Sequence, residues 1–175
     1  NSVSLNNQTS FSAAFEFQIS DPQGIYDSDG QGADGLAFVI QSNSNSVGGF
    51  GGQLGYGGLQ NSLAIEFDTW GHNWWDQGDG NHVGVNINGN MVSLETATIN
   101  ERMNNAAVWT AWIDYNGNNQ SLEVRLSQEQ TRPNSAIVTA TIDLEDTLGT
   151  TNAYVGFTSG TGAAGGDHDI RRFLL

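Results

Sequence analysis

The sequence predicts an all-β fold, an antiparallel sandwich or barrel, and three observations carry that prediction. The chain of 175 residues has 23 glycines, 2 prolines and abundant Asn, Ser and Thr, a composition that suits short strands joined by tight turns. Its apolar fraction is low, 37%, as strands with one wet face require. Several segments alternate apolar and polar residues with period two, and none carries a helical period. The length is that of one domain, so a single unit over 1–175 is expected.

The elements follow in order. Phe11, Ala13, Phe15, Phe17 and Ile19 put a hydrophobic residue at every second position, which predicts a strand with one buried face. Residues 21–32 gather Asp, Gly, Ser and Pro as a loop. The apolar run 36–40 predicts a strand covered on both faces. Residues 42–58 are Ser/Asn-rich and then Gly-rich, 63–70 read as a strand, and 71–81 form a loop loaded with Trp, Asp, Asn and His. A strand over 82–88 ends in a turn at Asn88-Gly89-Asn90. Strands over 108–115 and 121–126 flank Asn116-Gly117-Asn118-Asn119, a hairpin in which Asn-Gly is expected to take the positive φ. Two more strands, 137–144 and 153–158, precede a Gly/Ala loop over 159–166 and a last strand over 168–175. No helix is expected.

Composition also excludes functions. Without cysteine there is no disulfide scaffold, iron–sulfur cluster or thiolate metal site. Nineteen acids against five bases give a net charge of -14, which repels polyanions, so nucleic acid is not an expected partner. No apolar run approaches the roughly 18 residues that cross a bilayer, so membrane insertion is not expected. No serine lies in a Gly-x-Ser-x-Gly elbow, and no Gly-rich phosphate loop precedes a lysine. Trp109 and Trp112, three apart in a strand, should face opposite sides, one in the core and one half-exposed.

The chemistry concentrates in one stretch. In Ile65-Glu66-Phe67-Asp68-Thr69-Trp70, the side chains of Glu66, Asp68 and Trp70 share one face of a strand. Two carboxylates side by side repel and call for a cation, and the next residues supply His72, Asn73, Asp76, Asp79 and His82. Carboxylate and amide oxygens suit Ca²⁺, and a carboxylate set that includes an imidazole suits Mn²⁺ or a similar transition ion. Three tryptophans, Trp70, Trp74 and Trp75, stand where a plain solvated loop would have small polar residues.

The string 66–70, then Asn73, Trp75-Asp76 and His82-Val83-Gly84-Val85-Asn86, resembles the metal-binding loop of the legume-type (L-type) lectins. Three further pieces match in the family's order: Ala33-Asp34-Gly35-Leu36-Ala37-Phe38, Gly51-Gly52-Gln53-Leu54-Gly55, and Val155-Gly156-Phe157 through Asp167-His168-Asp169-Ile170. The resemblance implies an antiparallel jelly-roll sandwich of the concanavalin-like kind and a bacterial or other non-plant member of the family. It implies that Asp68, the Trp70 carbonyl, Asn73 and Asp76 hold Ca²⁺, while Glu66, Asp68, Asp76 and His82 hold a second ion, Mn²⁺ or another transition metal. A neutral saccharide would meet Asp34, the Gly52 backbone N–H and Asn73, with Trp70 as its aromatic platform and Ala163 and Ala164, in the loop 162–166, at its rim. A cis peptide between Ala33 and Asp34 is implied as well. The function implied is calcium-dependent carbohydrate binding without catalysis, in an extracellular or cell-surface adhesion or glycan-targeting module, and a homodimer is compatible with it.

Two positions depart from the family's pattern. The calcium-binding Asn usually stands four residues after the shared Asp; here that position is His72 and Asn73 is fifth, so His72 stays open as the alternative ligand. The family's further strands before Ser10 are expected to be missing from this domain. An enzyme is the rival reading, since laminarinase-type glycoside hydrolases share the sandwich and a Glu-x-Asp strand. They need a second Glu on the same face four or five residues after the first, and here those positions are Trp70 and Gly71. A structural adhesin module with no sugar site is the remaining alternative.

Overall fold

A computed structural model describes residues 2–5, 8–71 and 74–175 of the chain. Eleven described strands form two antiparallel sheets. The first holds β1 (Ser2–Ser4), β3 (Gly35–Gln41), β4 (Ser62–Asp68), β5 (His82–Ile87), β6 (Glu95–Thr98) and β10 (Asn152–Gly160), in the order β1-β10-β3-β4-β5-β6. The second holds β2 (Phe11–Gly24), β7 (Val108–Asn116), β8 (Ser121–Ser127), β9 (Val138–Thr141) and β11 (Ala164–Leu174), in the order β11-β2-β7-β8-β9.

Period-two patterning decides which side chains fill the space between the sheets. Ala13, Phe15, Phe17 and Ile19 of β2 and Trp109, Ala111, Ile113 and Tyr115 of β7 face Leu36, Phe38 and Ile40 of β3 and Leu63, Ile65 and Phe67 of β4 in one apolar core. Phe15 is its hub. Its ring lies 5.9 Å from Phe38, 5.6 Å edge-on from Phe67 and 4.8 Å from Phe157. As expected, Trp109 is buried and Trp112 half-buried.

β3 and β4 are buried along their whole length, as the apolar run predicts. Their outer face is covered by the chain between β3 and β4, whose Leu54 and Tyr56 pack on Ala37, Val39 and Ala64 in a second, smaller cluster. β3 and β4 therefore have two buried faces, one against the other sheet and one under this covering segment.

Four expectations are corrected. The strand expected over 137–144 stops at Thr141, and a helix, α1 (Leu144–Leu148), follows. Asp143 caps it by accepting from the Asp146 N–H at 3.0 Å, and Gly149 closes it at φ 66, a short-range start and stop signal that patterning over longer windows misses. The loop expected over 159–166 shrinks to 161–163, because Gly160 still pairs with Gly35 and Ala164 already pairs with Gly24. The hairpin after β7 forms, but its loop runs over 117–120 and the positive φ falls on Gln120 at 58°, not on Gly117. Strands β1 and β6, short and polar, had no pattern to reveal them. At the expected turn both Asn88 (φ 54) and Gly89 (φ 66) take positive φ, as a type I′ turn requires.

Candidate binding site

The site is built from the end of β4 outward. Alternation sends Ile65 and Phe67 into the core and Glu66 and Asp68 to the opposite face. In the β4–β5 register Asp68 stands opposite His82 and Glu66 opposite Gly84, so the imidazole arrives on the carboxylate face by pairing alone. Glu66, Asp68 and His82 are all buried, and each offers a ligand atom within 4.8 Å of the others.

Each ligand atom is already oriented. His82 Nδ1 lies 3.0 Å from the Asp79 carbonyl, which can only accept, so Nδ1 carries the proton. That leaves Nε2 facing Glu66 Oε1 at 3.2 Å. Burial lowers the His82 pKa, but the hydrogen bond and charge of Glu66 outweigh it and the net shift is upward. Glu66 Oε1 also accepts from Ser93 Oγ at 2.7 Å, and Oε2 accepts from the Tyr56 hydroxyl. Asp68 Oδ1 accepts from the Trp70 N–H at 2.7 Å, while Oδ2 is buried with no hydrogen-bond partner among the described residues. Burial first, then the charges of Asp76 and Glu66, push the Asp68 pKa well above the usual carboxylate range. Buried oxygens beside one imidazole and little positive charge are the donor set of a divalent cation, and the residues present fit one.

The surrounding loops are braced from a distance. Asp76 is buried in a 3-10 turn (Trp74–Asp76), whose Asp76 carbonyl accepts from Asp79 N–H at 2.9 Å. Asp27 Oδ2 accepts from the Gly71 N–H and Asp29 Oδ2 from the Gly80 N–H, both at 2.9 Å, which ties the 21–32 loop to both ends of the loop 71–81. A Cβ at Gly80 would lie 2.5 Å from Asp27 Oδ2 and 2.9 Å from the Gly71 nitrogen, so a side chain there would have to displace this brace. His72 and Asn73, the two candidates for the calcium-binding position, lie outside the described residues.

Asp34 opens the second half of the site. The Ala33–Asp34 peptide is cis, as the resemblance implies. The Asp34 N–H donates to the Gly160 carbonyl at 3.0 Å and its carbonyl accepts from the Thr69 N–H at 2.9 Å, so it is pinned between β10 and the end of β4. Its Oδ2 is buried without a hydrogen-bond partner among the described residues, and burial pushes its pKa up to about 6. Gly51, Gly52 and Gln53 form a 3-10 turn held by the Gly51 N–H on the Thr161 carbonyl at 3.1 Å. Gly162 comes beside the carboxylate, for a Cβ there would lie 4.0 Å from Asp34 Oδ2. Ala163 is exposed at the turn. Ala164 is buried in one small apolar cluster with Ala33 and Trp70, whose residual exposure is 8%. Among the described residues the most exposed aromatics are instead Phe50, at 86%, Trp74, at 77%, and Tyr26, at 65%.

Patterning along the chain missed Tyr56, Ser93, Asp27 and Asp29, and it gave Asn86 only as the end of a motif, without a partner. A tyrosine inside the Gly-rich stretch and an Asp-x-Asp in the 21–32 loop are the only signals they leave.

A sequence profile of the legume lectin domain matches residues 2–173, and the chain belongs to that family. It is 33% identical over 170 residues to L-type lectin-domain containing receptor kinase VIII.1 of Arabidopsis thaliana, covering 93% of this chain and 23% of the kinase. It is 32% identical over 178 residues to agglutinin-2 of Cladrastis kentukea, covering 95% of this chain and 58% of that protein. The chain thus spans less than two thirds of these relatives. Among solved structures, basic winged bean lectin with Tn-antigen aligns over 99% of this chain and 75% of that one, at TM-score 0.77 and 26% identity. Winged bean acidic lectin complexed with methyl-alpha-D-galactose aligns over 94% and 68%, at TM-score 0.76 and 28% identity. These neighbours share the jelly-roll sandwich and are carbohydrate-binding lectins. No helix among the described residues is long and apolar enough to cross a membrane.

Proposed function

We propose that this chain is a calcium-dependent carbohydrate-binding domain that recognises a neutral saccharide and performs no catalysis. The observation that carries the reading is the convergence of Glu66, Asp68 and His82 in a buried pocket, with Asp68 Oδ2 unbonded among the described residues and Asp34 Oδ2 in the same state nearby. Asp68, the Trp70 carbonyl, Asn73 and Asp76 would hold Ca²⁺, and Glu66, Asp68, Asp76 and His82 would hold Mn²⁺ or another transition ion. When bound, the ions supply positive charge that offsets the buried carboxylates and fixes the loop 71–81 before the ligand arrives.

The chain's own residues do the recognition. Asp34 accepts hydrogen bonds from sugar hydroxyls, the Gly52 N–H and Asn73 donate to them, and Ala163 forms the rim. Trp70 and Ala164, buried together with Ala33, form the floor rather than an open platform. Phe50 and Trp74 adjoin Gly51 and Asn73 in sequence and are exposed, as is Tyr26 in the 21–32 loop, and an exposed ring of this kind would cover the C–H face of a saccharide. The winged bean lectins, whose structures hold methyl-alpha-D-galactose and Tn-antigen, support a saccharide ligand. A relative named as a receptor kinase supports a cell-surface or extracellular module.

A glycan array probed with the Ca²⁺- and Mn²⁺-loaded chain, and again after exhaustive chelation, tests this reading. Binding to at least one neutral glycan that disappears on chelation is the expected outcome. Retention of that binding by the stripped chain contradicts the metal assignment, and no binding to any glycan when loaded contradicts the saccharide reading.

A further inference from the structure

Tyr56 is fully buried, ten residues before Glu66 in sequence, yet the covering segment brings it over the outer face of β4. Its ring packs with Leu54 on Ala37, Val39 and Ala64, and its hydroxyl reaches Glu66. A phenol has one proton. Because that proton goes to Glu66 Oε2, the hydroxyl can only accept from its second neighbour, and Asn86 Nδ2 donates to it at 2.6 Å. Asn86 stands opposite Ala64 and Gly84 opposite Glu66, so the amide and the carboxylate lie on adjacent strands, on one face, two residues apart along the sheet. The result is a directed chain, Asn86 amide to Tyr56 hydroxyl to Glu66 carboxylate, closed off from water.

The other carboxylate oxygen has different neighbours. Oε1 receives Ser93 Oγ at 2.7 Å and faces His82 Nε2 at 3.2 Å. The carboxylate lies close against β5: a Cβ at Gly84 would stand 2.4 Å from Oε1 and 2.5 Å from Ser93 Oγ. Exchanging the two oxygens would break the bonds from Tyr56 to Oε2 and from Ser93 to Oε1, and Oε1 is the oxygen turned toward His82 Nε2.

We infer that Tyr56 is a positioning residue for the transition-ion site, selecting Oε1 of Glu66 as the oxygen presented beside His82 Nε2. This rests on the metal reading above. Partners that orient a ligand commonly change metal affinity by 10–100-fold when removed, because the ligand must then be ordered by the ion itself. Tyr56→Phe removes only the hydroxyl and keeps the ring on its apolar bed.

The experiment titrates Mn²⁺ into the Ca²⁺-loaded wild type and Y56F, and records the visible absorption of each protein loaded with Co²⁺. The expected result is a Mn²⁺ Kd weakened by roughly tenfold or more in Y56F, with a Co²⁺ spectrum altered in band intensity because the second oxygen is free to approach. Equal Mn²⁺ affinity and identical Co²⁺ spectra overturn the role of Tyr56 while leaving the metal site in place. Failure of the wild type to bind Mn²⁺ or Co²⁺ overturns the metal reading itself. A fall in the melting temperature of Y56F with unchanged affinity and spectrum assigns Tyr56 to packing and overturns the proposal too. If Y56F does not fold, Asn86→Ala, which frees the hydroxyl on its accepting side, serves instead: a smaller weakening of Mn²⁺ supports the chain of bonds, and an unchanged Kd overturns it.

Discussion

Ile65 and Phe67 on one face of β4, and Glu66 and Asp68 on the other, are equally shut off from water, yet the two faces are completed in different ways. The apolar face meets Phe15, Phe17 and their neighbours across the sandwich, and the protein supplies everything it needs. The polar face meets hydrogen-bond donors for some oxygens only, and Asp68 Oδ2 and Asp34 Oδ2 have none among the described residues. Burial of the first kind is a source of stability. Burial of the second kind costs stability until a cation or a ligand hydroxyl arrives, which is why a folded domain keeps it only where something binds.

The largest effect should come from the self-sufficient face. Phe15→Ala removes the hub of the aromatic cluster and should cost about 3–5 kcal/mol of unfolding free energy, read by urea denaturation. Because Phe15 lies on the other sheet from the candidate ligands, the loss should be the same with and without divalent cations. A loss that depends strongly on metal would break the separation between the two faces.

The polar face should betray itself through pH. Asp34 is raised to about 6, Asp68 is raised as well, and His82 is raised. In the metal-free chain each of these groups therefore binds its proton more tightly folded than unfolded. Their contribution favours folding at low pH and is lost as pH rises through the folded pKa values. His168, whose pKa burial lowers, acts in the opposite sense, but it stands against three raised groups, so the chelated protein should melt at a higher temperature near pH 5 than at pH 7. With saturating Ca²⁺ and Mn²⁺ the trend should reverse, since protons compete with the ions for the same carboxylates. Calorimetric melts at the two pH values, chelated and loaded, check both signs; a chelated protein that loses stability on acidification over this window would place ordinary, paired carboxylates in the pocket.

The same contrast governs what could be read from the residues alone. Phe11 to Ile19 and the run 36–40 announce their strands because burial repeats along them with a fixed period. Glu66, Asp68 and His82 were legible for the same reason: period two sets the first pair on one face, and pairing of adjacent strands brings the third. Trp70 was legible as part of a motif but not as a buried residue, because its burial depends on Ala33 and Ala164 from two other segments. The roles of Tyr56, Ser93, Asp27 and Asp29 were not legible, since their partners are reached through loop paths that no periodicity describes. Helix α1 was missed because five residues are too few to show a period, although its Asp143 cap and Gly149 stop are written in the chain.

Asp34 is where the two halves of the proposal meet, since it is buried, unbonded at one oxygen and outside the proposed ligand set. Calorimetric titration of an array-selected neutral glycan into loaded wild type and Asp34→Asn, with metal content measured on the same samples, tests the central claim most directly. The account predicts a loss of about 2 kcal/mol of binding, roughly thirtyfold in Kd, with metal content unchanged and the melting temperature of the glycan-free protein not lowered. Equal affinity in a fully metallated Asp34→Asn protein would contradict it, because the saccharide would then lie elsewhere.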